Sequence, residues 1–346
     1  MVALERAGIP VERYVAYEIE ENAIKVSKKN YPQIDHCGNV TTEDFTKYEG
    51  FDLLIGGSPC TNWSCSKNHK AKNPKELFIN QGEGWELFKH YVRALHEAKP
   101  KYFLYENNYR IPKNIIENIT IELGVEPIMI NSELVSAQRR KRLYWTNIPN
   151  VIQPQDKGIL LKDIFIYDEA LIRTDERILQ TAIATKNYVK YDLLNKGHFS
   201  QAYRLYYLDG KSPTIPRCRT ETKCNILLDK TDYSTYKILS PVEAERLQTL
   251  PDNYTEGIPK TRRFEAIGNG WTVDVIAHIF KELKKQSDEQ EVCSSFQEEM
   301  EKRMDRIKKV TKKSYKGCEA CRWQRLNGGT CKGGKVRCGQ FVKERA

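Results

Sequence analysis

FDLLIGGSPCTNWS, residues 51–64, decides how the rest of the chain is read. Residues 51–55 are an apolar run of strand length. Gly-Gly-Ser-Pro ends that run, because proline gives up a ladder donor and glycine frees the turn. Cys60 therefore stands at the carboxyl end of a strand, the edge where open α/β sheets gather their ligands. A thiol becomes chemically useful there when cations or helix N-termini favour its thiolate. Taken alone, Pro59-Cys60 describes an ordinary buried cysteine more readily than a nucleophile.

Upstream, the pattern predicts a helix over 1–7, a Gly-Ile-Pro break, a strand over 11–17 and a helix over 20–29. Downstream, residues 85–98 carry Leu87, Phe88, Tyr91, Val92 and Leu95 on one helical face. A strand over 102–105, a helix over 115–123 and extended segments at 126–130 and 143–145 follow. This alternation predicts an α/β domain with a Rossmann-like, mostly parallel sheet covered on both faces, spanning 1–150. Residues 151–236 are tyrosine-rich and lack helical period, which reads as a small separate lobe. Order returns over 237–285, where Ser240, Pro241 and Glu243 spell a capped helix start that completes the first domain. Residues 286–312 read as a charged helical connector and 313–346 as a basic, cysteine-containing tail.

The 346 residues carry a formal charge of +10, of which the last 46 hold fifteen Lys and Arg against four Asp and Glu. A polyanionic partner is expected, met chiefly by the tail. No apolar run is long enough to span a membrane, and MVALERAGIP lacks the features of a secretory signal. A cytoplasmic protein is expected, its ten cysteines serving as reduced thiols, a catalytic thiol or metal ligands.

Three further segments bear on Cys60. In YFLYENN, Glu106 ends the next apolar strand, hence on the same sheet edge. SAQRRKRLYW sets Arg140 and Arg142 beside a strand start, and EAIGNGWTV supplies a glycine-framed turn. In this order and at these separations, the Pro-Cys loop, the Glu-Asn pair, the Gln138-x-Arg140-x-Arg142 run, the LSPVEAERLQTLP segment and the Gly-Asn turn resemble the cytosine-5 DNA methyltransferase family. The resemblance covers 1–150 and 237–285, and its wording is nearest the de novo branch and bacterial and phage relatives.

That resemblance implies methyl transfer to C5 of a cytosine flipped out of double-stranded DNA, through a covalent adduct with Cys60. Glu106 matches the carboxyl group that meets the ring at N3, and Arg142, with Arg140 near it, the guanidinium that binds the base carbonyl. The implied donor is S-adenosyl-L-methionine, with Glu18 at the ribose, Asn39 at the adenine, Pro59 and Leu87 packing it, and Asn269 with Gly270 in the closing turn. Asn39 stands where the family has Asp, and Gly270 where it has Ser. The polar, lysine-rich stretch 61–84 matches a closing lid. The lobe is implied to read flanking bases, with Arg173, Arg204, Arg217 and Arg219 suited to phosphates and base edges. A monomer is expected.

The family's first strand and its Phe-x-Gly-x-Gly turn have no counterpart after residue 1; translation is expected to begin upstream, with a fragment or a degenerate protein that no longer binds the donor as the alternatives. In the tail, Cys318, Cys321, Cys331 and Cys338 have spacing suited to one structural zinc ion. A catalytically inactive DNA-binding homologue and an RNA cytosine-5 methyltransferase are the alternatives.

Overall fold

The computed structural model describes residues 1–59, 82–193, 201–217, 224–285 and 300–302. The first half contains α1 (Val2–Ala7), β1 (Val15–Ala16), α2 (Glu21–Asn30), β2 (Asp35–His36), β3 (Leu53–Gly56), α3 (Glu83–Ala98), β4 (Tyr102–Asn108), α4 (Lys113–Leu123), β5 (Ile128–Asn131) and β6 (Lys141–Thr146). β3 and β4 run parallel, as do β1 and β2. The larger sheet has the order β3-β4-β6-β5, and β6 is antiparallel to both its neighbours. The 132–140 link explains the reversal: it is too short for the crossover of a dozen or more residues that a parallel return needs. The strand expected over 11–17 is cut to Val15–Ala16, since β1 has a ladder partner on one side only among the described residues.

Period-two alternation in β4 divides its side chains between two cores. Phe103 and Tyr105 meet Trp85, Phe88 and Tyr91 of α3 and Ile115 and Ile119 of α4. Leu104 turns the other way, toward Leu4 and Ala7 of α1 and Val275, Ile279 and Phe280 of the helix at 273–285. With helices on both faces, the central strand is apolar nearly throughout, and only its carboxyl end, Glu106-Asn107-Asn108, is free to carry chemistry. Complete burial of a side chain such as Phe88, 0% exposed, contributes about 1.5–3 kcal/mol.

The lobe is a six-stranded sheet built from β7 (Ile172–Thr174), β8 (Ile183–Ala184), β9 (Tyr188–Lys190), β10 (Arg204–Tyr207), β11 (Asn225–Leu227) and β12 (Thr235–Ile238). Its order is β7-β12-β11-β10-β9-β8, and only β10 and β11 are parallel. Leu205 packs inward on Val189, Tyr191 and Leu227. Tyr206, the next residue, packs toward the return segment, against the core that holds Leu247, Phe264 and Ile267.

The return segment opens with α5 (Pro241–Leu247), where Ser240 and Glu243 form the expected capping box. α6 (Lys260–Asn269) follows. Gly268 of α6 has no room for a side chain, since a β-carbon there would lie 2.3 Å from the Pro216 carbonyl oxygen of the lobe. A second tie is the Lys237–Glu243 ion pair, 2.5 Å long and wholly buried on both sides. Lys237→Met leaves the Glu243 carboxylate buried without its cation. It is expected to lower the unfolding free energy by about 3–5 kcal/mol, seen as a reduced urea midpoint at unchanged slope; a wild-type midpoint would show the pair to be dispensable.

Compactness separates residues 1–284 from 285–346, and in the latter only residue 285 and the helical residues 300–302 are described. No helix among the described residues is long and apolar enough to cross a membrane.

Candidate active site

The register of β4 with β6 sets Glu106 opposite Tyr144 and Asn108 opposite Arg142. Alternation then puts the Glu106 and Arg142 side chains on one face. Arg142 Nε lies 2.8 Å from Glu106 Oε1, and both side chains are largely buried at 14% and 11% exposure. Held out of water, each charge depends on the other.

The β3–β4 pairing, Gly56 opposite Tyr105, brings the next residue, Gly57, alongside Glu106. A β-carbon on Gly57 would stand 2.8 Å from the Glu106 carbonyl oxygen, 3.5 Å from its Oε2 and 3.6 Å from Trp271 Cζ2. The absence of a side chain at Gly57 is what lets the Gly57-Ser58-Pro59 segment pass this close to Glu106. Ser58 is then anchored twice: its Oγ lies 2.6 Å from the Tyr105 hydroxyl, and Asn107 Nδ2 donates to its carbonyl at 3.3 Å. Burial pushes the Tyr105 phenol up to about 12, so it serves as a neutral hydrogen-bonding partner. Pro59 follows, exposed. Cys60 and the expected lid, apart from its last three residues, lie outside the described residues.

Arg140 behaves differently from the expectation that it joins Arg142 at the base. Its side chain is buried, with Nη1 donating to the Ile215 carbonyl and Nη2 to those of Gly268 and Gly270, at 2.8–3.1 Å. Gln138 is buried as well; its Oε1 accepts from the Ile215 N–H and its Nε2 donates to the Leu247 carbonyl. Of the three residues in the run, Arg142 reaches Glu106, whereas Gln138 and Arg140 join the lobe to the return segment. Buried carbonyls demand such donors.

The residues expected around the methyl donor occupy two edges. Glu18 follows β1, and its Oε1 accepts from the N–H groups of Ile19 and Glu20 at 2.8 Å. Asn39 follows β2 and caps a 3-10 turn, accepting from the Thr41 N–H at 3.0 Å. Pro59 lies past β3. Leu87 is half-buried on α3, Asn269 ends α6 exposed, and the Gly270 carbonyl is taken by Arg140 and Gln248. Sequence reasoning missed Ile19, 71% exposed beside Glu18, although an apolar residue directly after a strand-ending acid was visible in YEIEEN. It also missed the Tyr105–Ser58–Asn107 anchor and Trp271.

The lobe arginines are only partly committed. Arg173 Nη1 donates to the carbonyls of Ala170 and Ile172, the Arg204 guanidinium lies 4.7 Å from the Tyr188 ring centre, and Arg217 pairs with Glu265 at 2.9 Å. Arg219 lies outside the described residues, as do Cys318, Cys321, Cys331 and Cys338. No group of three or more potential metal ligands occurs among the described residues, so zinc rests on the cysteine spacing alone. Buried Cys224, its thiol pushed up to about 12 by desolvation, is an inert core residue. A hollow of about 960 Å³ bordered by Arg6, Lys157, Asp274 and Lys281 includes none of the expected site residues; chemistry, rather than cavity size, marks the site.

Residues 1–285 match the family described as C-5 cytosine-specific DNA methylase. The chain is 24% identical over 303 residues to the type II methyltransferase M1.ScrFI of Lactococcus lactis subsp. cremoris, covering 79% of this chain and 72% of that protein. It is 25% identical over 340 residues to the type II methyltransferase M.Eco47II of Escherichia coli, covering 82% and 77%. Its fold is similar to that of the Entamoeba histolytica methyltransferase EhMeth, with a TM-score of 0.58 at 17% identity over 82% of this chain and 94% of that one. The structural likeness carries the fold, and the family match reaches from α1 through the helix at 273–285. The chain belongs to the C-5 cytosine-specific DNA methylase family.

Proposed function

We propose that this protein transfers a methyl group from S-adenosyl-L-methionine to C5 of cytosine in double-stranded DNA, with Cys60 as nucleophile. The observation that carries the reading is the buried Glu106–Arg142 pair on the carboxyl edge, beside the anchored Gly57-Ser58-Pro59 segment. A base inside a duplex is out of reach, so the cytosine must first leave the stack. The Cys60 thiolate then adds to C6, the C5=C6 electron pair moves through C4 toward N3, and N3 takes a proton from Glu106, which must first gain that proton as Arg142 leaves it. Arg142 exchanges Glu106 for the base carbonyl as the ring enters. C5, now electron-rich, takes the methyl group. A base removes the C5 proton, the electron pair of that bond expels the Cys60 thiolate, and N3 returns its proton to Glu106, restoring the aromatic ring.

S-adenosyl-L-methionine, when bound, would supply the electrophilic methyl, its S–CH3 bond breaking to leave S-adenosyl-L-homocysteine. Several residues fit it. Glu18 spends Oε1 on its own backbone and leaves Oε2 for a ribose hydroxyl, Ile19 offers an apolar face to a flat ring, and Asn39 retains its amide donors. Among the described residues β1 and β3 each lack a neighbour on one side, while the Arg13 guanidinium lies 5.6 Å from the Phe51 ring centre.

Transfer of labelled methyl onto duplex DNA and onto transfer RNA tests the proposal. Label in DNA cytosine is expected. Label in RNA alone would reassign the substrate, and duplex binding without transfer to either would favour a DNA-binding homologue without activity.

A further inference from the structure

Past Asn107 the chain makes a tight turn before α4. The Asn108 N–H donates to Asn107 Oδ1 at 2.8 Å and the Arg110 N–H to Asn108 Oδ1 at 3.1 Å. The run that presents Glu106 thus also fixes the turn that follows. Tyr109 stands on that turn, 43% exposed, with Lys141 Nζ 5.6 Å from its ring centre. Lys141 is itself exposed and directly precedes Arg142, whose Nη1 donates to the Lys141 carbonyl at 2.9 Å. Among the described residues no carboxylate pairs with Lys141. An exposed ring and an ammonium with no carboxylate partner among the described residues therefore stand together at the end of the two strands that carry the Glu106–Arg142 pair.

A nucleic-acid strand offers a matching surface, since each nucleotide joins an anionic phosphate to a flat or apolar face. We propose that Tyr109 and Lys141 form a rim contact for the DNA strand next to the flipped nucleotide. The Lys141 ammonium meets a phosphate and the Tyr109 ring packs on the adjoining nucleotide. This assignment rests on the DNA reading above and adds a place on the protein where the strand is held. Neither residue touches the reacting atoms; both act by holding the substrate in register.

Equilibrium binding of a fluorescently labelled duplex over a salt series tests it. Lys141→Ala is expected to reduce the slope of log K against log salt by about one. Tyr109→Ala is expected to weaken binding about tenfold at fixed salt, and Tyr109→Phe to restore it, because the ring rather than the hydroxyl makes the contact. Lys99→Ala, at the opposite strand end and paired with Glu49 at 2.9 Å, should leave both quantities at wild-type values. A wild-type slope in Lys141→Ala, or wild-type affinity in Tyr109→Ala, overturns the rim contact while leaving the methyltransferase reading in place. Failure of the wild-type protein to bind duplex at all overturns both.

Discussion

Cys60→Ala is expected to abolish cytosine methylation, with a loss of at least roughly 10⁴-fold in turnover. C5 of cytosine is a poor nucleophile until a group adds at C6, and no other step in the proposed sequence makes it reactive. Cys60→Ser should fall nearly as far, because a serine hydroxyl is scarcely ionised at neutral pH whereas a thiol is partly thiolate. The anchor of the loop lies earlier, in Ser58 held by Tyr105 and Asn107. Duplex affinity should therefore survive either change, confining the defect to turnover. Steady-state methyl transfer alongside duplex titration separates the two, and a residual rate within tenfold of wild type would exclude a thiolate mechanism.

Glu106→Gln is expected to reduce turnover by about 10²–10⁴-fold. The amide has nearly the shape of the carboxyl and can still hydrogen-bond an entering ring, so the fold of β4 and the position of Gly57 should persist. It cannot deliver a proton to N3, and it leaves the Arg142 guanidinium without its anion at 14% side-chain exposure. The defect should be smaller than that of Cys60→Ala because the thiolate can still add, only more slowly. Methyl-transfer rates at saturating duplex check this ordering; wild-type turnover in Glu106→Gln would remove the carboxyl from the chemistry.

The parts of this architecture encoded within a few turns of chain were legible beforehand. α3 and α4 display large apolar residues every three or four positions, and Ser240, Pro241 and Glu243 write out a helix start that the structure reproduces. The lobe strands were not legible. Each is only two to four residues long, too short for period two to stand out from a tyrosine-rich background, and their pairing is set by partners far along the chain. Arg140 shows the same limit within the site. Its alternation with Arg142 was visible, but the carbonyls it serves lie 75 to 130 residues away, and no local pattern distinguishes a tie between segments from a contact to substrate. Asn107 was visible as half of the Glu-Asn pair, while its grip on Ser58 required the β3–β4 register to be known.

The most direct measurement uses a duplex bearing 5-fluorocytosine at the target position. Fluorine occupies the place of the C5 proton, so after methyl transfer no base can start the elimination that frees the sulfur. A denaturation-resistant protein–DNA complex should accumulate, dependent on S-adenosyl-L-methionine, with the modified nucleotide mapping by mass spectrometry to the peptide containing Cys60. Labelled methyl transfer to ordinary cytosine without any trapped complex, or an adduct on any cysteine other than Cys60, would contradict the account.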